Sequence, residues 1–333
     1  MIAKQFRPIM LIILNTLFLQ LILIMKVFKD LKDWHFNDRG IVTIGTFDGV
    51  HLGHKKILQR LNQIRENEGG KSIVFTFDPH PRKVLFPNQN DLQLITDLSE
   101  KIELLKNLDI DYTIVYPFTK EFAQIEPGKF IKEILVEKLK VKTLVIGYDH
   151  KFGKDRSGNI DTFKKAAPQY GFTVEEIAAQ DIDNINISST KIRKALFEGD
   201  VKAAAQFLGY TYFINGIVVH GKKLGRIIGI PTANIKVNDP DKLIPKMGVY
   251  FVGVEVEDFK GYGMMNIGTN PTMENDKHLK LEVNMFNFDK DIYNKNIRVE
   301  FIQRLRDEKK FNSLDELVAE IKNDEKICKS LIP

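Results

Sequence analysis

The 333-residue chain has a single cysteine, Cys328, and a single tryptophan. One cysteine excludes a disulfide framework and any zinc site built from several cysteines, and this usage is typical of a reducing compartment. The chain also lacks a strong charge of one sign, since its net charge is only +5. No clustered basic stripe occurs, and its absence argues against a dedicated nucleic-acid binder. With 43% apolar and 28% charged residues the composition is globular, and the length favours two domains.

Long hydrophobic runs are absent except at the start of the chain. From Ile9 to Met25 only three polar residues interrupt an apolar run, and Lys4 and Arg7 precede it. This pattern is typical of a signal anchor. Two interpretations stay open, a membrane anchor or residues upstream of a true start at Met25. We assign residues 1–24 as an apolar extension on which the fold does not depend.

Strand-like and helix-like patterns alternate in the part of the chain that follows. Four short apolar runs predict buried strands, at residues 40–45, 72–77, 112–116 and 143–147. This alternation predicts a mostly parallel sheet with helices on both faces. Ligands bind such sheets beyond the carboxyl ends of the strands, so the residues just after each run are the candidates for a site.

A glycine-rich loop follows the first predicted strand and leads into a helix. Its notable residues are Gly45, Phe47, Asp48, His51, Gly53 and His54. The glycines allow the backbone to approach a phosphate, and the helix start offers free N–H donors. His51 and His54 are three residues apart, so that both imidazoles reach the same anion. Two other interpretations stay open: a zinc site, although no third ligand is near, and a glycine turn with two surface histidines.

Two further polar segments follow predicted strands, and a third opens a helix. A proline-held turn, Asp78-Pro79-His80-Pro81, follows the second strand, and Asp149 follows the fourth. Ser188 is expected to cap a helix, which places Ser189 and Thr190 in its first turn and Arg193 on their face. Each segment alone is explained by a turn or a cap, but their combination at strand ends indicates a site.

These motifs resemble the adenylyltransferase module of bacterial bifunctional riboflavin kinase/FAD synthetases. The resemblance rests on the His-x-Gly-His loop, the Asp-Pro-His-Pro turn and the Ser-Ser-Thr-x-Ile-Arg segment, and it extends from Met25 to the C-terminus. It implies catalytic roles for His51, His54 and Arg193. It further implies ATP contacts at Gly45, Phe47, Asp48, Gly53, Ser189 and Thr190, and FMN contacts at Asp78, Pro79, His80, Pro81 and Asp149.

Helical periodicity ends near Gly209, and short alternating strands follow. About six such strands with Gly, Pro and Asn turns predict a small closed antiparallel barrel. A final helix is predicted with Ser313 as its cap and Glu316 completing a capping box. Its buried stripe is expected to consist of Leu314, Leu317, Val318 and Ile321.

Two motifs stand out in this barrel region. The first runs from Gly221 to Asn234, with glycines and three basic residues before the turn Pro231-Thr232-Ala233-Asn234. The Thr and Asn oxygens are hard ligands that suit Mg²⁺ carried by a nucleotide, and the alternative is a basic surface hairpin. The second motif is Glu282, on the polar face of the strand 279–285, where the pattern alone favours a solvated carboxylate.

Both motifs resemble the riboflavin kinase module of the same family. The resemblance implies that Thr232 and Asn234 bind Mg²⁺-ATP and that Glu282 is the general base. It also implies ATP contacts in the glycine-rich stretch, at Gly221, Lys222, Gly225 and Arg226. Leu224 stands where family members often have Arg, so that Lys222, Lys223 and Arg226 are left to hold the phosphates.

The sequence therefore predicts an α/β, doubly wound parallel-sheet nucleotidyltransferase domain at 25–186 and a helical linker at 187–209. A small antiparallel β-barrel riboflavin kinase domain with a C-terminal helix is predicted at 210–333. We expect a cytoplasmic enzyme that uses ATP and Mg²⁺ to convert riboflavin to FMN and FMN to FAD, with small molecules and not nucleic acid as partners. The alternatives are a nucleotidyltransferase acting on another phosphate, a flavin- or nucleotide-binding regulator without turnover, and a membrane-tethered flavin supplier.

Overall fold

A computed structural model describes residues 25–88, 92–148, 150–178, 187–221, 225, 229–269 and 279–333. By compactness, the chain divides into two units. The described residues of the first unit fall within 1–46, 57–85 and 102–178, and those of the second fall within 47–56, 86–101 and 179–333. The second unit therefore includes two short segments that precede most of it in the chain.

The first unit contains a six-stranded parallel sheet, which confirms the predicted doubly wound class. Its strands are β1 (Lys26–Phe28), β2 (Gly40–Ile44), β3 (Lys71–Asp78), β4 (Tyr112–Pro117), β5 (Val141–Gly147) and β6 (Thr173–Ile177). They are ordered β1-β4-β3-β2-β5-β6. On one side of β2 lie β3, β4 and β1, in that order, and on its other side lie β5 and β6. The switch point at which ligands bind in such sheets is therefore the carboxyl end of β2 and β5.

The sheet is buried on both faces because its central strands are continuously apolar. All five residues of β2 are buried, as are Ile73, Val74 and Phe75 of β3. An aromatic group that includes Phe130, Phe152 and Phe163 packs in the same core. Two-sided burial of this kind is typical of parallel sheets covered by helices.

Helices alternate with these strands along the chain. They are α1 (Leu52–Glu68), α2 (Pro81–Leu85), α3 (Leu98–Lys106), α4 (Lys120–Ala123), α5 (Pro127–Lys129) and α6 (Ile160–Tyr170). A π-helical segment, Phe130–Lys138, continues α5, and a 3₁₀ turn spans Lys154–Arg156. Helix α1 ends at Glu68, and Gly69 follows it with a positive φ of 70°.

The second unit contains the predicted closed antiparallel barrel. Its strands are β7 (Phe213–Val219), β8 (Ala233–Val237), β9 (Gly248–Val256), β10 (Phe259–Thr269), β11 (Leu279–Met285) and β12 (Asn296–Arg306). They close in the order β10-β11-β8-β7-β12-β9. Helices α7 (Ser189–Glu198) and α8 (Val201–Leu208) pack on the same core as the barrel, through Ile192, Leu196 and Leu208. The predicted cap of α7 is confirmed, because Ser188 accepts a hydrogen bond from the Lys191 N–H at 3.3 Å.

The C-terminal helix α9 (Leu314–Ser330) begins at the predicted cap, where Ser313 accepts from the Glu316 N–H. The carboxylate of Glu316 accepts the N–H of Asn312 at 2.9 Å. In a capping box it would accept the N–H of the cap residue itself, Ser313, which is one residue later. The prediction that Leu314 is buried is wrong, since it is 58% exposed. The buried residues of α9 are Asp324 and Cys328, and the Asp324 carboxylate is paired with Arg306 of β12.

The apolar segment near the chain start lies almost wholly outside the described residues. Among the helices that the structure describes, none is long and apolar enough to cross a bilayer.

Candidate functional sites

The loop after β2 has an unusual backbone. Phe47, Gly49 and Val50 all have positive φ, at 49°, 81° and 36°. For Phe and β-branched Val this conformation is strained, and such strain persists only where the surroundings enforce it. At Gly49 the reason for glycine is also steric, because a Cβ there would lie 2.8 Å from a methyl group of Ile95. Loop residues 47–51, termed here the histidine loop, are thus held by contacts and not by intrinsic preference.

The carboxylate of Asp48 is the main anchor of the histidine loop. Asp48 is 4% exposed and accepts hydrogen bonds from the backbone N–H groups of Ile95 at 3.3 Å and Thr96 at 3.1 Å. It also accepts from the Nη2 of Arg193, whose Nε donates to the carbonyl of Gln93 at 2.8 Å. Arg193 therefore lies beside the loop, where its charge is balanced by Asp48. In this arrangement it holds the loop in place.

The two histidines of the predicted His-x-Gly-His motif lie together at the start of α1. Their rings stack with centroids 3.6 Å apart, and His51 Nδ1 accepts the backbone N–H of His54 at 3.3 Å. Burial lowers the pKa of His51 to about 4. Burial, followed by repulsion from Lys101 and from a protonated His51, lowers the pKa of His54 well below its usual value. Both imidazoles are therefore neutral near pH 7.

This geometry fixes what the histidines can do chemically. Because His51 Nδ1 accepts a hydrogen bond, the neutral ring carries its proton on Nε2, which is then a donor. His54 Nδ1 is buried and has no hydrogen-bond partner among the described residues, a feature expected of a position that a ligand completes. The pair is suited to donating hydrogen bonds to phosphate oxygens and not to neutralising their charge.

The other predicted residues around the loop are placed as follows. Gly45 directly follows β2, and its N–H donates to the Phe75 carbonyl at 3.1 Å. Gly53 is buried in the first turn of α1. Ser189 Oγ donates to the Asp48 carbonyl at 3.3 Å, whereas Thr190 is exposed at the start of α7. The hydroxyls of the helix start are thus divided, with one directed to the loop and one toward solvent.

The predicted proline turn lies at the carboxyl end of β3, in the first unit. Asp78 and Pro79 are exposed and joined by a cis peptide bond, and Pro81 begins α2. His80 Nδ1 accepts the Arg82 N–H at 3.2 Å. The turn is thus accessible next to the switch-point strand, as a substrate contact requires. Asp149 lies outside the described residues.

Residues 93–100, which were not predicted as part of a site, complete the surroundings of the loop. Besides the bonds to Asp48, Thr96 Oγ1 accepts the Gly49 N–H at 3.0 Å. The sequence carries one signal for this segment, the Asp97-x-x-Glu100 pattern of a capping box, and that box forms with bonds of 2.8 and 3.0 Å. Nothing in the pattern predicts which loop the segment contacts.

The barrel places the Pro-Thr-Ala-Asn turn beside the strand of Glu282. Asn234 and Glu282 are direct cross-strand partners in β8 and β11, and Asn266 of β10 is the partner on the other side. The amide of Asn284 donates to the Pro231 carbonyl at 2.7 Å, which ties the turn to β11. Residues distant in sequence are thus brought together by strand register.

Glu282 lies on the polar face of β11, as the alternation predicts. Leu281 and Val283 are buried in the barrel core, whereas Leu279 at the strand start is 41% exposed. The Glu282 carboxylate pairs with Lys280 at 2.8 Å and lies 3.5 Å from the Thr232 hydroxyl. Its side chain is 22% exposed, which leaves it accessible to a substrate hydroxyl.

Two glycines of the preceding stretch approach this group closely. A Cβ on Gly221 would lie 2.1 Å from the Asn234 amide nitrogen, and one on Gly225 would lie 3.3 Å from the Thr232 hydroxyl. Any side chain there would occupy the space next to the candidate ligands. The remaining residues predicted for this site, Lys222, Lys223, Leu224 and Arg226, lie outside the described residues.

The metal chemistry of the two sites differs. Thr232 and Asn234, beside Glu282, supply a hydroxyl and an amide oxygen, which are hard donors that fit Mg²⁺. For the zinc interpretation of His51 and His54, no group of three or more His, Cys, Asp or Glu side chains in the described part of the chain has the geometry to hold a metal. That interpretation gains no support.

Two family models match different parts of the chain. The FAD synthetase family model matches residues 34–191, and the riboflavin kinase family model matches residues 208–332. The bifunctional riboflavin kinase/FMN adenylyltransferase of Listeria monocytogenes is 40% identical over 86% of this chain and 90% of its own length. The enzyme of the same name from Escherichia coli K12 is 37% identical over the same shares.

A solved structure is similar over nearly the whole chain. The crystal structure of a macrolide-efflux protein from Streptococcus pneumoniae is 31% identical, covers 93% of this chain and 100% of its own, and superposes with a TM-score of 0.84. The resemblance inferred from the motifs is thereby confirmed at the level of sequence and fold. With these similarities over most of its length to curated relatives, the chain belongs to the bifunctional riboflavin kinase/FMN adenylyltransferase family.

Proposed function

We propose that this protein phosphorylates riboflavin to FMN with ATP and then adenylylates FMN to FAD with a second ATP, releasing pyrophosphate. The observation that carries the proposal is the similarity to bifunctional enzymes over 86% of the chain, which includes both family regions. The geometry supports it, because each region holds its own set of polar residues suited to one of the two reactions.

The kinase reaction has a neutral nucleophile, the terminal ribityl hydroxyl of riboflavin. A base within hydrogen-bond reach assists such an attack, and Glu282 is the accessible carboxylate beside the Pro-Thr-Ala-Asn turn. Lys280, paired with the same carboxylate at 2.8 Å, orients it. We assign to Gly221 and Gly225 the close backbone approach to the ATP phosphates, with Lys222 and Arg226 as their charged partners.

Mg²⁺ is the metal that the kinase site fits, and Thr232 and Asn234 are the residues that would hold it. When bound with ATP it would supply positive charge to the phosphate oxygens. The hard oxygen donors of Thr232 and Asn234 support this choice over a softer metal.

The adenylylation reaction needs no base, because the FMN phosphate that attacks the α-phosphate of ATP is already an anion. The protein has to position the two phosphates and donate hydrogen bonds to the charge that develops between them. His51 and His54 fit this role as neutral donors, and the first turn of α1 adds backbone N–H groups. Asp48, Arg193 and Ser189 hold the loop, while Thr190 at the exposed start of α7 is left for the nucleotide.

FMN is assigned to the exposed turn Asp78-Pro79-His80-Pro81, together with Asp149, at the carboxyl edge of the sheet. We keep the boundaries 25–186, 187–209 and 210–333 for the adenylyltransferase domain, the helical linker and the kinase domain. The use of a single cysteine supports a cytoplasmic location.

The decisive test is a product assay on the purified protein. Incubation with riboflavin, ATP and Mg²⁺, followed by chromatography of the flavins, should show FMN first and FAD later, with pyrophosphate formed in step with FAD. FMN without FAD, even when FMN is supplied, would leave the N-terminal region to another phosphate-bearing substrate such as pantetheine phosphate or nicotinamide mononucleotide. Binding of flavin without any product would instead indicate a regulator.

A further inference from the structure

Residues 93–100, termed here the bridging segment, contact both the histidine loop and the barrel within the second compact unit. On the barrel side, Leu94 forms a parallel β-bridge with Lys242. The Leu94 N–H donates to the Asp241 carbonyl at 2.7 Å, and the Leu243 N–H donates to the Leu94 carbonyl at 2.8 Å. The segment is therefore bound to the barrel through its backbone.

A buried ion pair reinforces this attachment. Lys242 Nζ contacts Glu100 Oε2 at 2.6 Å, and the two side chains are 1% and 0% exposed. Lys242 also donates to the Ile95 carbonyl at 2.7 Å, and the second oxygen of Glu100 accepts the Asn215 N–H of β7 at 3.0 Å. A buried pair is tolerated when its remaining bonds are satisfied, and such a pair permits little movement.

On its other side the bridging segment determines the path of the histidine loop. Thr96 donates its N–H to Asp48 at 3.1 Å and accepts the Gly49 N–H with its hydroxyl at 3.0 Å. Gly49 has positive φ and lies two residues before His51. Because the loop backbone is strained, it needs such external contacts to hold its conformation.

We propose that Thr96 is a positioning residue for FMN adenylylation, and that Lys242, in the barrel region, fixes Thr96 through the bridging segment. Adenylylation therefore depends on a residue of the riboflavin kinase match, whereas riboflavin phosphorylation does not depend on Thr96. This inference rests on the proposed function, because it concerns the same adenylylation site. It adds a one-way dependence between the two activities.

The first test replaces Thr96 by Val, which keeps the shape and removes the acceptor for the Gly49 N–H. The kcat for FMN adenylylation should fall roughly tenfold or more, with KM values for ATP and FMN changed less, because misplaced donors weaken the transition state most. Riboflavin phosphorylation should stay at the wild-type rate. Thr96→Ser, which retains the hydroxyl, should restore most of the kcat.

A matched control is available in the first unit. Thr43 of β2 is 1% exposed, and its hydroxyl has no hydrogen-bond partner among the described residues. Thr43→Val is the same chemical change at an equally buried site and should leave both activities unchanged. An equal loss in this variant would show that the effect of Thr96→Val is not specific to the loop.

The second test removes the anchor in the barrel. Lys242→Met combined with Glu100→Gln eliminates both charges of the buried pair and should lower the adenylylation kcat while riboflavin phosphorylation continues. If both sets of contacts hold the same loop, the triple variant that adds Thr96→Val should lose less adenylylation kcat than the product of the fold-losses in the two parent variants. If the Lys242→Met/Glu100→Gln variant does not fold, the adenylylation kcat values with Val, Ser and Thr at position 96 still test the positioning role of Thr96.

The outcomes separate this inference from the proposed function. A wild-type protein that forms no FAD from supplied FMN would overturn the proposed function itself. A wild-type protein that forms FAD, with Thr96→Val retaining its adenylylation kcat within about twofold, would overturn the positioning role alone. Parallel loss of both activities in Thr96→Val would equally contradict it.

Discussion

The histidine loop and the site around Glu282 differ in what holds their functional groups. In the loop, buried contacts from residues distant in sequence, Thr96 and Arg193, hold a strained backbone. In the barrel, Glu282 and Asn234 are placed by the regular register of neighbouring strands, and the Glu282 side chain is partly exposed.

This difference has a consequence for how each site responds to change. A site built on strand register keeps its backbone when one side chain is replaced, so that the chemistry of that side chain alone is lost. A site built on a strained loop also depends on residues that never touch substrate. We therefore expect remote substitutions to affect adenylylation more than phosphorylation.

The largest expected effect is that of Glu282→Gln on the kinase reaction. Gln has nearly the same volume and leaves the buried face of β11 untouched, but it cannot accept the ribityl proton, a contribution of roughly a hundred- to ten-thousand-fold. Riboflavin phosphorylation should collapse in a chromatographic assay, while adenylylation of supplied FMN continues. A near-normal rate of phosphorylation would make Glu282 an ordinary strand carboxylate.

His54→Ala should have the reverse effect. Removal of one hydrogen-bond donor from the transferred phosphate should slow FAD formation on the order of a hundredfold. FMN should still accumulate from riboflavin, because Glu282, Thr232 and Asn234 are unchanged. If FMN production falls in parallel, the two sites are not separable in the way described.

Asp48→Asn tests the anchor of the loop through stability. The change removes the carboxylate charge that pairs with Arg193, whose side chain is 12% exposed, and breaking such a largely buried pair costs about 3 kcal/mol or more of unfolding free energy. Asp109→Asn is the matched control, since Asp109 is 60% exposed in its pair with Arg65 and its loss should cost less than about 1 kcal/mol. Equal midpoints for both variants in urea unfolding would contradict the anchoring role.

The smallest effect concerns pH. Burial lowers the pKa of His51 from 6.5 to about 4, so the unfolded state binds more protons than the folded state between these pH values. The unfolding free energy should therefore fall as the pH decreases from about 6.5 toward about 4, by about 2 kcal/mol from this residue at pH 5. His51→Gln should flatten the dependence. An unchanged slope in His51→Gln would show that the imidazole is not buried in solution.

Much of the fold follows from the sequence because its signals are local. Continuous apolar runs mark β2 to β5, alternation marks the barrel strands, and the Ser188 cap marks the start of α7. Local signals fail where tertiary contacts decide, as at Leu314, which has the helical spacing of Ile321 and Cys328 but is 58% exposed at the first position of α9.

The candidate sites show the same limit. The residue types and strand-end positions of Asp48, His51, His54 and Glu282 are evident from the sequence. The pairing of Arg193 with Asp48, the neutrality of the histidines and the part played by Thr96 are not, because each arises from burial beside residues distant in the chain. Lys242 gives no signal at all, since a lysine is rarely predicted to be buried.

The most direct test of two separate sites on one chain is a mixing experiment with the two single-site variants. Glu282→Gln alone should convert riboflavin to neither FMN nor FAD, and His54→Ala alone should stop at FMN. A mixture of both with riboflavin, ATP and Mg²⁺ should produce FAD, because FMN released by one variant is adenylylated by the other. A mixture that forms no FAD, although each variant retains its expected single activity on its own substrate, would contradict the account.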